Sequence, residues 1–297
     1  MYNGIINVYK EKGYTSFDVV ARMRGICGQK KIGHTGTLDP DAEGVLPVCL
    51  GKATKVCDML TDSDKVYRAV MQLGVETDTQ DMTGTILKEA DTSGLAEQHV
   101  MSAVMQFEGE IFQVPPMYSA LKVNGKKMCD LARTGVTVER KARPVTIYKI
   151  LVENIELPYV TMTVSCSKGT YIRTLCHDIG AKLGCGAVMK SLVRLHVAGY
   201  RIEDAYKLDS LQEFKESGTL KDVVTPIERV FEVYPVLTAK PEYDIMLKNG
   251  NKMALQQFQE TIKPESELKV RVRMSDGRFA AVYEYRDDLG LFRPSKM

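Results

Sequence analysis

Asp39 sits in the run Gly33-His34-Thr35-Gly36-Thr37-Leu38-Asp39-Pro40, a lone carboxylate among residues that bend or stiffen the backbone. Glycine opens positive φ, proline fixes φ, and Pro40 pushes Asp39 itself out of the helical region. Taken alone, an Asp-Pro pair is most often a surface turn; the length of this constrained run argues for more. A carboxylate carried on a rigid loop can act as a nucleophile, and an arginine partner keeps it ionised. Tyr67, Arg173 and a basic stretch following Pro115-Pro116 accompany it. A tyrosine stacks on a flat base, and basic side chains hold a polynucleotide while one nucleotide is swung out of its stack. Together these groups suggest covalent work on a nucleobase. His34 could serve as a general base, but no Ser or Cys in the run has a triad-like setting. Asp41 and Glu43 follow Asp39 too closely to oppose it across a glycosidic bond.

Other chemistries lack their signatures. There is no Gly-x-x-x-x-Gly-Lys phosphate loop, no dinucleotide fingerprint and no Gly-x-Ser-x-Gly nucleophile turn. Seven cysteines form no Cys-x-x-Cys pair and read as reduced thiols, mostly small core residues. Cys176-His177 is the only adjacent Cys-His pair, and neighbours on a helix point to different sides, so no metal site is expected. With 297 residues, 44% hydrophobic and 26% charged, the chain can bury a sizeable core. No apolar run approaches the ~20 residues of a membrane helix, and the first residues hold no apolar signal core. A cytoplasmic protein without membrane contact is expected. The net charge of +2 is unevenly spread: residues 118–149 carry eight bases against two acids. A charge run is more often a solvated face, but this one, interleaved with glycines and entered through a Pro-Pro hinge, reads as a phosphate-binding arm.

The elements that must position these groups can be read in order. Residues 4–9 are strand-like, and Ser16 is placed to cap a helix with Phe17, Val20, Met23 and Ile26 on one face. A short helix over 52–60 precedes a strand at 64–73. The run 76–84 is a polar loop with three acids and no base, and a helix spans about 93–107. Strand alternation at 161–167 leads to a helix over 171–183, stopped by Gly184 and Gly186. Arg173 falls in that helix's first turn, where a cation opposes the macrodipole, so an anionic partner is expected. Residues 191–197 read as another strand, and Ser210 as the cap of a helix over 211–217. From Pro235 the character changes to short strands around a Ser275-Asp276-Gly277 hairpin turn. The expectation is an α+β protein. A mixed, largely antiparallel sheet with flanking helices occupies residues 1–234, the arm at about 118–149, and a small mostly β domain covers 235–297.

The run from Gly33 to Lys55 resembles the motif II region of pseudouridine synthases, specifically the bacterial tRNA pseudouridine synthase B (TruB) family. Further segments match in the same order: Lys65-Val66-Tyr67-Arg68, Thr77-Asp78-Thr79-Gln80-Asp81, the stretch from Gln113 to Lys122, Ala142-Arg143-Pro144-Val145, and Cys166-Ser167-Lys168-Gly169-Thr170-Tyr171-Ile172-Arg173. The similarity covers roughly residues 3–230, and the tail resembles the PUA-like RNA-binding module that ends these enzymes. One departure is visible: Tyr9-Lys10-Glu11-Lys12-Gly13 stands where relatives often read Asp-Lys-Pro-x-Gly. The resemblance implies an isomerase that converts uridine 55 in the T-arm of tRNA to pseudouridine without cofactor. It implies that Asp39 is the nucleophile, that Arg173 pairs with it, and that Tyr67 stacks on the uracil and is a candidate for later proton removal. Tyr171 and Leu192 would line the uridine pocket, His34 would fill space left by the flipped nucleotide, and Asp81 would lie near the substrate. Lys10, Lys30 and Lys31 before the loop, and Lys122, Lys126, Lys127 and Arg133 on the arm, are expected against the RNA backbone. A monomer needing no protein partner is the default. The competing reading is a non-catalytic tRNA-binding or RNA-folding protein, which has no evident need for Asp39, Tyr67 and Arg173 together.

Overall fold

The structure is a computed structural model. It describes residues 1–119, 121–123, 125–136 and 138–296, with backbone alone at 122, 123, 127, 129, 133 and 296. The chain forms two compact units, Met1–Val224 and Thr225–Met297.

In the first unit, β1 (Gly4–Lys10) and α1 (Ser16–Cys27) precede β2 (Ile32–His34) and β3 (Glu43–Leu50). Next come α2 (Cys57–Thr61), β4 (Lys65–Leu73), a ribbon of β5 (Val75–Thr77) and β6 (Ile86–Glu89), and α3 (Glu97–Met105). After β7 (Gly109–Gln113), a second ribbon of β8 (Lys122–Val123) and β9 (Lys126–Lys127) runs into α4 (Met128–Arg133). The unit closes with β10 (Arg143–Glu156), β11 (Tyr159–Cys166), α5 (Ile172–Leu183), β12 (Ala187–Val197), β13 (Tyr200–Arg201) and α6 (Leu208–Glu216). Among the described residues, nine strands form one sheet in the order β1-β3-β12-β4-β11-β10-β7, with β2 on β3 and β13 on β12. Its pairings are antiparallel except β3 with β12. The architecture is thus the mixed, largely antiparallel α+β one read from the sequence.

Strand periodicity sets which side chains face inward. Along β4, Lys65, Tyr67, Ala69, Met71 and Leu73 are buried and their neighbours are not. β11 alternates in the same way. Met71, Met162, Val164, Leu175 and Ile179 join one core under α5, while Ile6, Val8, Val48, Val20, Met23 and Leu211 join another under α1 and α6.

Three local expectations are corrected. Thr15, not Ser16, caps α1: its hydroxyl accepts from the Asp18 N–H at 3.1 Å, and the Asp18 carboxylate accepts from the Thr15 N–H at 2.8 Å. The inward face is then Ser16, Val19, Val20, Met23, Ile26 and Cys27, leaving Phe17 67% exposed. Ser210 lies inside α6, which starts two residues earlier because Leu208 and Leu211 are buried together. The basic run 118–149 is also divided. Arg143 to Lys149 belong to β10 of the main sheet, so the arm proper is the β8–β9 ribbon with α4.

The second unit is a four-stranded sheet, β14 (Val236–Thr238), β15 (Lys269–Arg273), β16 (Phe279–Arg286) and β17 (Leu291–Lys296), with one short helix, α7 (Asp244–Lys248). Gly277, at φ +83°, turns the β15–β16 hairpin where the sequence places it. The unit begins ahead of the expected 234/235 division, since Phe231 stacks on Phe279 at 5.9 Å and Glu228 pairs with Arg273 at 2.8 Å and Arg271 at 3.5 Å. Among the described residues, no helix is long and apolar enough to cross a membrane.

Candidate active site

The Asp39 loop links β2 to β3 and is pinned from beneath. Ser16 Oγ accepts from the Leu38 N–H at 2.9 Å, the Gly13 N–H donates to the Pro40 carbonyl at 3.0 Å, and Thr35 ties back to the Pro47 carbonyl. The Lys10 ammonium, fully buried, donates to the carbonyls of Ala42 at 2.5 Å, Pro40 at 3.0 Å and Glu11 at 3.2 Å. That corrects its expected place on the RNA backbone: Lys10 is an internal brace of the loop. Burial brings its pKa down to about 8, against the pull of Glu43, Asp39 and Asp41. Lys10→Met leaves these carbonyls without their donor, at a cost of about 2 kcal/mol, or roughly 5 °C in Tm. A loop so displaced loses kcat by about 10²-fold. KM and the salt dependence of binding stay as in the wild type; a changed salt slope would return Lys10 to the expected RNA interface.

Across the sheet, α5 presents Arg173 from its first turn. The turn is fixed by Gln113, whose amide accepts from the Tyr171 N–H at 3.0 Å and donates to the Tyr171 carbonyl at 3.2 Å. The Arg173 side chain is 6% exposed and lies between two carboxylates, Asp39 Oδ2 at 3.4 Å and Asp81 Oδ2 at 3.3 Å. A third bond goes to the Tyr118 carbonyl at the root of the arm. The anionic partner demanded by the helix dipole is therefore present twice. Asp81 is itself held, since its Oδ1 accepts from Thr79 Oγ1 at 2.7 Å and from Thr83 N and Oγ1 at 3.0 and 2.5 Å. Asp39 has no such net, and its side chain remains 39% exposed. Its surroundings raise its pKa first through desolvation; Arg173 opposes the rise and the Asp81 charge adds to it.

The two sides meet at a cavity of about 620 Å³, a size that admits a nucleotide. Asp39, Tyr67, Tyr171, Leu192, Arg173 and Arg194 are on its wall. Tyr67 is buried, which raises its phenol pKa, while Arg194 draws it down. Burial likewise raises Tyr171, opposed by a hydrogen bond with Ser119. His34 and Asp81 stand back from the wall. His34, on β2, is half-buried, which lowers its pKa, and its Nδ1 has no hydrogen-bond partner among the described residues. Asp81 reaches the site through Arg173. Lys30, Lys31 and Lys126 are exposed; the side chains of Lys122, Lys127 and Arg133 lie outside the described residues. No cluster of metal-ligating side chains is found among the described residues.

Arg194 is a site residue that the sequence reading passed over as part of a strand. Its side chain is within the core, 1% exposed, with Nε donating to the Val45 carbonyl at 2.7 Å and Nη2 to the Gly36 carbonyl at 3.5 Å. The signal was available, since Leu192 and Arg194 share one face of a strand, and a buried Arg on a core face needs partners. Gly44, at φ +103°, makes room for it: a side chain there would collide with the Arg194 carbonyl oxygen.

Comparisons with known proteins show which family the chain is similar to. The family model described as TruB family pseudouridylate synthase (N terminal domain) matches residues 24–172, and that of the tRNA pseudouridylate synthase B C-terminal domain matches residues 173–232. The chain is 50% identical to the tRNA pseudouridine synthase B of Lachnoclostridium phytofermentans, with 99% of each chain covered. It is 45% identical to that of Clostridium tetani, with 90% of this chain and 91% of the other covered. Among solved structures it is similar to a chain of an H/ACA RNP bound to a substrate RNA containing 2′-deoxyuridine. The TM-score is 0.71 and the identity 27%, over 99% of this chain and 84% of that one. A Cbf5-Nop10-Gar1 complex gives a TM-score of 0.70 and 30% identity over 95% of this chain and 78% of the other.

Proposed function

Because this chain belongs to the TruB family and is a tRNA pseudouridine synthase, we propose that it isomerises uridine 55 in the T-loop of tRNA, with Asp39 as nucleophile. The observation that carries this reading is the Asp39–Arg173 pair, 3.4 Å apart, on the wall of a cavity that Tyr67 also lines. The carboxylate is ion-paired yet open to the cavity, which suits attack on a substrate. The target nucleotide leaves its stack and enters the cavity, where Tyr67 stacks on the uracil and Tyr171 and Leu192 close around it. His34, behind the loop, supports the RNA where the nucleotide has left. The glycosidic N1–C1′ bond breaks, the base turns, and C5 bonds to C1′. C5 then loses its proton and N1 gains one. Every atom is conserved, so the reaction needs no oxidant or reductant.

Arm and C-terminal unit hold the RNA. Lys126, Lys127 and Arg133 on the arm, with Lys30, Lys31 and Lys122, contact phosphates, and the PUA-like tail adds a second grip. Neutralising Lys126, Lys127 and Arg133 together raises KM more than it lowers kcat and reduces the log–log salt slope of binding by about 2 to 3. Filter binding across a salt series measures it; an unchanged slope removes the arm from the interface. The whole reading is tested by incubating the protein with an unmodified tRNA transcript and mapping pseudouridine. Tight binding without product would make it an RNA-folding protein.

A further inference from the structure

Arg194 carries a full charge in the core, and among the described residues no carboxylate pairs with it. Two of its bonds go to backbone carbonyls of the Asp39 loop and its flank, Gly36 and Val45. The remaining contact explains the charge. Arg194 lies directly opposite Tyr67 in the β4–β12 ladder, so both side chains stand on the same face. Both line the cavity, and the guanidinium acts on the Tyr67 hydroxyl, drawing its pKa down against burial. The other titratable groups near that hydroxyl are the Cys166 thiol from β11 and Asp39 from the loop, both of which disfavour its ionisation. Arg194 is the only cation among these groups.

We propose that Arg194 is the positioning residue that makes Tyr67 the acceptor of the uracil C5 proton, by fixing the hydroxyl at the cavity wall and stabilising the phenolate. The inference rests on the pseudouridine synthase reading above. In the step assigned to Tyr67, the C5–H bond of the C5-ribosylated base breaks and the proton passes to the phenolate oxygen. The C5–H electron pair forms the C5=C6 double bond as the C6=N1 π pair moves onto N1, N1 takes up a proton there, and Tyr67 returns its proton to solvent. Burial alone makes the phenolate costly, and a guanidinium opposite it on the same face of the sheet offsets that cost only in the anionic state. Because Arg194 also ties the Gly36 and Val45 carbonyls, it places acceptor and nucleophile loop on one anchor.

The test compares wild type, Arg194→Lys and Arg194→Met on tRNA transcripts carrying protium or deuterium at uridine C5. Arg194→Met is expected to lower kcat by about 10²–10³-fold, the scale of a lost proton-transfer catalyst, with KM little changed. It also exposes a primary deuterium isotope effect larger than in the wild type, because C5–H cleavage becomes the slow step. Arg194→Lys, which keeps the charge, recovers part of the loss. Placing a fluorotyrosine, a more acidic phenol, at position 67 of Arg194→Lys recovers more and diminishes the isotope effect. Should Arg194→Met not fold, that Lys pair with and without fluorotyrosine decides by itself. Loss of activity with no increase in isotope effect, or no response to fluorotyrosine, would overturn the role and leave Arg194 a structural brace. Wild-type protein that makes no pseudouridine would instead defeat the underlying functional reading.

Discussion

Asp39→Asn lowers kcat on an unmodified tRNA transcript by about 10⁴-fold or more while tRNA binding persists. The amide has the carboxylate's size and can still accept from Arg173, so loop and cavity keep their shape. What disappears is the negative charge that the proposed attack requires, and loss of a covalent nucleophile costs orders of magnitude that positioning cannot recover. Mapping pseudouridine at single-nucleotide resolution, alongside filter binding, reads both halves. Product at the T-loop made by the variant at wild-type rates would remove Asp39 from the nucleophile's role.

Arg173→Met is expected to be nearly as damaging, for a different reason. It leaves Asp39 and Asp81 flanking a hydrophobic side chain where a single guanidinium had paired with both. Asp81 retains its three donors from Thr79 and Thr83; Asp39 has no comparable support. Burial already raises the Asp39 pKa and Arg173 opposes that rise, so removing the cation moves it further upward. Activity that needs the ionised carboxylate is then lost at a higher pH, and the acid limb of kcat/KM shifts toward neutrality. We expect a drop of about 10³-fold at neutral pH, partly recovered as pH rises. Folding stability falls by about 3 kcal/mol, the low end for breaking a buried pair, because Asp39 is open to solvent. A pH–rate profile with an unmoved acid limb would show that Arg173 does not hold the charge of Asp39.

Much of this was legible in the chain, and the rest was hidden for identifiable reasons. The alternation along Lys65–Leu73 and the apolar spacing of Ile172–Leu183 report local periodicity, which sequence carries directly. Arg173 announced its need for a partner because a helix start disfavours a cation. A lysine reads as surface unless several carbonyls converge on it, and two of the three that hold Lys10 come from residues about thirty positions away. Ser16 was taken for a cap, although a threonine one residue earlier, with Asp18 three residues beyond it, forms the complete box. The acidic loop after Glu76 looked like a solvated turn with three acids and no base; its base arrives as Arg173, 92 residues later. Arg194 escaped because its value depends on which strand lies beside β12, and pairing order is a tertiary fact.

The bond from Arg173 to the Tyr118 carbonyl joins the chemistry to the grip. Tyr118 stands at the foot of the arm, so the energy of that bond belongs to both the basic segment and the charge that steadies Asp39. Thermodynamic linkage makes such sharing reciprocal. On the proposed reading, RNA on the arm that displaces the Tyr118 backbone alters the electrostatics at Asp39, and a change at Asp39 alters affinity for that RNA by the same factor. A uridine offered outside its tRNA arm would meet the same residues but not the same carboxylate.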